Sequence, residues 1–166
     1  MKKRTFVQLI GAAALMLSLP VSAQPARYDI NKSELPKPVK EVLAKYIKML
    51  RASKDLDDCA KRFTTIAGGK LVNEDGKTLR GTVQPFSLKK DFSNIKFYAN
   101  PIEITRVAKL PPVTSGFGPS AIRGPQYKIW IAKKEGAAGM PAPMTILVPE
   151  GHDSIKDPKV VSIGSY

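Results

Sequence analysis

Pro36-Lys37-Pro38-Val39-Lys40-Glu41-Val42-Leu43-Ala44-Lys45-Tyr46-Ile47-Lys48-Met49-Leu50-Arg51 is the stretch on which the fold class turns. Val39, Val42, Leu43, Tyr46, Ile47 and Leu50 recur at the alternating three- and four-residue steps of one α-helical stripe. Lys37, Lys40, Lys45 and Lys48 fall on the remaining surface. Proline is tolerated in a first turn, because the N–H it lacks would be unpaired there. The spacing predicts an amphipathic helix over Val39–Arg51 whose apolar stripe needs a second layer to cover it.

A second helix is expected from Ser53, read as its N-cap, through Ala67. Leu56, Cys59, Ala60, Phe63 and Ala67 form its inner face, and Gly68-Gly69 ends it. Asp55, Asp57 and Asp58 stand in its first turn, where carboxylates complement the helix dipole. That reading accounts for the acidic cluster without a metal.

On the other side of the first helix, residues 24–35 are polar without a sustained period and read as a flexible arm. Met1 to Ala23 reads as a secretory signal. Lys2, Lys3 and Arg4 are its cationic start, Phe6 to Leu19 its apolar centre, and Val21-Ser22-Ala23 the small residues before cleavage at Gln24. A spanning helix needs about 20 apolar residues, and this run is shorter and stops at Pro20. No cysteine stands at the cleavage point to take a lipid. The expected product is a soluble periplasmic or secreted chain, with a single domain over residues 36–166.

Beyond Gly69 the pattern changes from helix to strand. Lys70–Asn73 and Lys77–Arg80 flank Asp75-Gly76, a hairpin signal. Ser87–Phe92 reads as a helical turn or two. Ile95–Tyr98, Ile102–Leu110, Gln126–Lys133, Met144–Val148 and Lys159–Ile163 read as strands. Asn100-Pro101 marks a bulge or an edge. Two long Gly- and Pro-rich connections, Pro111–Pro125 and Glu135–Pro143, separate the later strands. Helices first and strands afterwards give an α+β domain, with N-terminal helices packed on one face of an antiparallel sheet.

The strand faces carry a further expectation. Tyr127, Ile129 and Ile131 share the inner face, while Trp130 and Leu147 fall on the outer one. A water-facing sheet surface would be more polar than this. Either a second copy of the chain covers Trp130 and Leu147 as a homodimer, or the loops or the N-terminal arm do.

In its helices at Val39–Arg51 and Asp55–Ala67, and in Tyr127-Lys128-Ile129-Trp130-Ile131 as a long central strand, the chain resembles the nuclear transport factor 2-like superfamily. The resemblance implies a curved, cone-like sheet around the first helix. It also implies an apolar cavity between them, its mouth lined by Phe117, Tyr127 and Met140, for a small apolar or amphipathic ligand. The same superfamily supports isomerases, dehydratases and hydrolases, for which Asp91, Glu103 and Tyr127 would be the acid/base groups in reach. Glu103 alternates away from Ile102 and Ile104 and so faces outward.

Composition bounds the remaining chemistry. The formal charge is +13 over 166 residues, and lysine supplies most of the cations. For an exported chain this excludes nucleic acid as the natural partner. It leaves a solvated lysine surface, or a weak association with envelope anions. Cys59 is the single cysteine, so no intramolecular disulfide forms, and its place on an apolar helix face makes it an inert core thiol.

Chemical motifs do not assemble. Ser87-Leu88-Lys89-Lys90 fits S-x-x-K, but its S-D-N and K-T-G partners do not occur. Asn73-Glu74-Asp75-Gly76 lacks the glutamate that a calcium loop would need at Thr82. His152, in a turn after Gly151, has neither metal-ligand partners nor a nucleophile motif beside it. Gly116-Phe117-Gly118 lies in a long connection, and such loops are commonly binding loops. Thr114–Gly124, with Phe117 and Arg123, is therefore the leading site. The reading that emerges is a non-catalytic, exported ligand- or partner-binding domain without cofactor or metal. The alternatives are a cavity enzyme or a basic protein held at anionic envelope surfaces.

Overall fold

The computed structural model describes residues 28–164 and 166. The expected signal at Met1–Ala23 and its cleavage point lie outside the described residues. Helix α1 spans Lys37–Ala52 and buries the whole stripe, Val39, Val42, Leu43, Tyr46, Ile47 and Leu50, together with Met49. The four stripe-flanking lysines are exposed. Ser53 closes α1 rather than opening the next helix, its hydroxyl donating to the Met49 carbonyl at 2.8 Å. The N-cap is Asp55, whose carboxylate accepts the Asp58 N–H at 2.8 Å.

Helix α2, Leu56–Phe63, is shorter than the apolar spacing predicts. The Thr64 and Thr65 hydroxyls donate to the Lys61 and Arg62 carbonyls at 2.6 and 2.8 Å, and the chain leaves the helix there. The Ile66 carbonyl then accepts the Val160 N–H at 2.8 Å, and the Gly68 N–H donates to the Val160 carbonyl at 2.9 Å. Ala67 thus lies in a parallel bridge with Val160. Backbone pairing to a sheet edge outcompetes the last helical turn.

Strands β1 (Tyr28–Ile30), β2 (Ile104–Ser115), β3 (Ile122–Ile131), β4 (Pro143–Leu147) and β5 (Lys159–Ser162) form one five-stranded sheet in chain order, each pair antiparallel. The α+β class holds. The N-terminal segment is not a free arm where it is described: Tyr28–Ile30 pairs with Val107–Lys109, and Leu35 is buried. Its register also brings Asp29 to Arg106, at 2.6 Å.

Strand β2 runs five residues past its predicted end, straight through Pro111 and Pro112. The register shifts between Leu110 and Val113, so both prolines sit in an irregularity, where missing N–H groups cost no ladder bonds. Pro111–Pro125 is accordingly a tight hairpin with only 116–121 as its tip. Ile95–Phe97 is a 3-10 turn instead of a strand. The Asp75-Gly76 hairpin is present in reduced form, as a single Val72–Leu79 bridge.

The inner sheet face, Val107, Tyr127, Ile129, Ile131, Met144, Ile146 and Val160, shares one continuous core with α1 and α2. Side chains fill the space that the resemblance assigns to a cavity. Tyr46, Phe63, Ile129 and Met144 are all completely buried there. Cys59 is buried among them, and desolvation pushes its thiol up to about 11. Thiolate, the reactive form, is then scarce and shielded. A maleimide in mildly alkaline buffer is expected to leave native protein unlabelled and to modify it fully in denaturant; rapid labelling of native protein would refute this packing.

Candidate functional site

The tip of the β2–β3 hairpin carries one of the concave surfaces of the described residues. Gly69 (φ +56°) and Gly116 (φ +91°) meet backbone to backbone. A Cβ on Gly116 would lie 2.9 Å from Gly69 Cα, and one on Gly69 would lie 2.2 Å from Ser115 Oγ. Both positions combine a left-handed backbone with a contact that leaves no room for a side chain. The Lys70 N–H then donates to Ser115 Oγ at 3.2 Å. This junction shapes a groove of about 590 Å³ lined by Lys70, Thr114, Ser115, Phe117, Gln126, Val161 and Ser162.

Three further ties hold the tip. Ser120 Oγ donates to the Asn73 carbonyl at 2.9 Å. Arg80 is held by its Nε donating to the Val72 carbonyl at 3.1 Å, and its guanidinium lies 5.2 Å from the centroid of the Phe117 ring. His152 Nδ1 accepts the Ser154 and Ile155 N–H groups at 3.2 and 3.0 Å. Nε2 therefore carries the proton and donates to the Pro119 carbonyl at 3.1 Å. The single histidine is a strut between the β4–β5 connection and the tip, with no nucleophile in its hydrogen bonds.

Chemically, the groove pairs an apolar wall with a polar one. Phe117, 61 % exposed, and Val161 offer hydrocarbon. Thr114, Ser115, Ser162 and Gln126 offer hydrogen bonds, and Lys70 offers a cation. The lining contains no carboxylate, histidine or thiol; its one ionisable side chain is Lys70, and its nucleophile-type groups are the Thr114, Ser115 and Ser162 hydroxyls. Among the described residues no cluster of three or more metal-ligating side chains occurs.

The four residues expected to line a ligand site do not converge. Phe117 precedes β3, Tyr127 lies in its middle, and Met140, 87 % exposed, follows it. A ten-residue strand of about 30 Å separates the two ends. Tyr127 faces inward, as alternation predicts, but into packed core rather than a cavity. Arg123 is exposed beside Thr114 and is not in the groove lining. Phe117 alone of the four belongs to it. Lys70, Gln126 and Ser162 had no sequence signal beyond the Gly68-Gly69 pair that brings Lys70 in.

The two expected interface residues also part company. Leu147 is completely buried in a small cluster with Ile122 and Val161, capped by Ile155 of the β4–β5 connection. It cannot meet a second copy; the loop covers it. Trp130 is partly buried between Arg106 at 4.9 Å and Lys128 at 5.5 Å.

Of the acid/base positions, Glu103 is exposed and Asp91 is only 1 % exposed. Asp91 accepts the Tyr46 hydroxyl at 2.7 Å, the Gly164 N–H at 3.0 Å and the Tyr166 N–H at 2.9 Å. Burial holds its carboxyl above the usual range, against these three donors. Its position secures Gly164 and Tyr166 against α1. The Tyr166 ring completes the core, 4.8 Å from Tyr98 and 6.2 Å from Tyr46.

No protein-family model, curated protein or solved structure matches this chain. The chemistry of the groove therefore has to be read from its own residues.

Proposed function

We propose that this chain is a non-catalytic binding domain that takes a small amphipathic ligand in the groove at the β2–β3 tip. The observation that carries the reading is the groove's construction. A backbone junction at Gly69 and Gly116 and three side-chain ties hold it in place, while its lining offers an apolar wall, hydroxyls, an amide and one ammonium, with no carboxylate, histidine or thiol among them. Pre-formed, mostly apolar concavities with a few directed polar groups are the usual form of small-molecule sites. An acidic or acceptor-bearing head would lie toward Lys70 and the Ser115 and Thr114 hydroxyls, with the apolar part against Phe117 and Val161.

The N-terminal signal at Met1–Ala23 supports export, so the ligand would be met outside the cytoplasm. The order of helices followed by sheet also supports the resemblance to the nuclear transport factor 2-like superfamily. In this reading, however, the site lies at the hairpin tip and not beneath the first helix.

Anilinonaphthalene sulfonate, an anion with an apolar body, is a suitable probe. It is expected to bind with enhanced, blue-shifted fluorescence, and Lys70→Glu and Phe117→Ser should each weaken it about fivefold or more, the change expected for losing one well-placed contact. Met140→Ser, exposed and outside the lining, should leave the affinity unchanged. Equal binding by all four proteins would remove the groove from consideration.

A further inference from the structure

Residues 83–97 carry a second surface that shares no lining residue with the groove. The segment runs through a π-helical turn, Val83–Leu88, helix α3, Lys89–Asn94, and the 3-10 turn Ile95–Phe97. Val83, Leu88, Asp91 and Ile95 face the core. Pro85, Phe86, Lys89, Lys90, Ser93, Lys96 and Phe97 recur at helical spacing on the opposite, exposed side. Phe86 is 69 % and Phe97 45 % exposed, an unusual state for phenylalanine. Asp91 is the segment's sole carboxylate, and it is turned inward, so the stripe itself is purely cationic. A groove of about 540 Å³ beside Phe86 is bordered by Ser87, Lys89, Lys90, Ser93 and Asn94.

We propose that this stripe docks the protein on an anionic lipid bilayer. Phe86 and Phe97 enter the boundary between headgroups and acyl chains, and Lys89, Lys90 and Lys96 meet the lipid phosphates. Lys96 Nζ lies 5.2 Å from the centroid of the Phe97 ring, so at that end of the stripe the apolar and cationic groups are presented side by side, as interfacial segments require. The two rings stand at opposite ends of the stripe with only polar and cationic side chains between them. An acidic protein partner would need two separate apolar pockets flanking an acidic ridge. A bilayer offers phosphates and hydrocarbon at every lateral position. The formal charge, +13 for the whole chain, of which Lys2, Lys3 and Arg4 of the signal supply three and leave +10 on the exported protein, adds long-range attraction of the same sign.

The test is cosedimentation of the exported, purified protein with vesicles of equal parts phosphatidylglycerol and phosphatidylcholine, against phosphatidylcholine alone. Binding is expected to the anionic vesicles only and to weaken as salt is raised. The pair Lys89→Glu/Lys90→Glu and the pair Phe86→Ser/Phe97→Ser should each reduce it by about tenfold or more. The charge-matched pair Lys37→Glu/Lys40→Glu on α1 should change it by less than about threefold, and Phe117→Ser should bind vesicles as the unaltered protein does. Unchanged melting midpoints would show that the variants are folded. Absent binding to anionic vesicles, equal binding to both vesicle types, or equal loss from the stripe and α1 pairs would each overturn the proposal.

Discussion

Replacing Asp91 with alanine is expected to cost about 4 kcal/mol or more, because three buried donors lose their acceptor at once and each orphaned group costs about 1–3 kcal/mol. The donors are the Tyr46 hydroxyl and the Gly164 and Tyr166 N–H groups. The first lies on α1 and the other two on the last residues of the chain, so the loss reaches both. Asp91→Asn is expected to cost about half as much, since an amide accepts at one position but presents N–H at the other. Urea titration monitored by circular dichroism measures both. An alanine variant within about 1 kcal/mol of the parent would refute the clamp.

The same residue sets a pH signature. Burial raises its pKa above the ordinary 3.8 in the folded chain, against the pull of its three donors. The folded state then holds this proton more tightly than the unfolded state. The contribution of Asp91 is most favourable below the unfolded value and is lost as pH rises through the folded one. The stability gap between the parent and Asp91→Asn, which does not titrate, should therefore widen on acidification. A gap that closes toward acid pH contradicts this assignment.

Gly124→Ala is the second change with a large expected effect. A Cβ at Gly124 would stand 1.9 Å from the Val148 carbonyl oxygen and 3.0 Å from its carbon. That neighbour is backbone and cannot swing aside. Hydrogen bonds on either side hold it there, Val148 N–H to the Pro125 carbonyl at 3.0 Å and Glu150 N–H to the Arg123 carbonyl at 2.7 Å. Making room for one methyl means parting these strands, and overpacking plus two lost bonds gives about 3–5 kcal/mol. Because β3 leads out of the hairpin tip, the groove should loosen as well, so probe binding should weaken although Gly124 is not in the lining. A variant with an unchanged melting midpoint would mean that this crossing is not rigid.

How far the sequence reaches is clearest when α1 is compared with the hairpin tip. The apolar stripe of α1 is a local pattern, since its spacing matches a helix whatever lies across from it, and all six of its residues are buried. Alternation in β3 assigned the faces of Tyr127, Ile129 and Ile131 correctly for the same reason. Pro111 and Pro112 misled, because proline usually ends a strand, and only the β3 partner shows that a bulge absorbs both. Asp91 could be singled out as a carboxylate near the core, but not as an anchor, because its donors come from positions 46, 164 and 166.

The sequence by itself determined an α+β order, one packed core on α1 and the sheet's inner face, and a buried, inert Cys59. These follow from residue periodicity, which acts within a few neighbours. Tertiary structure alone decided that the space under α1 is filled, that Leu147 is covered by its own chain, and that a groove forms where Gly69 meets Gly116. Those outcomes depend on which distant backbones approach within a methyl group's breadth of each other, and glycine, lacking a side chain, leaves no periodic mark of the partner it will meet.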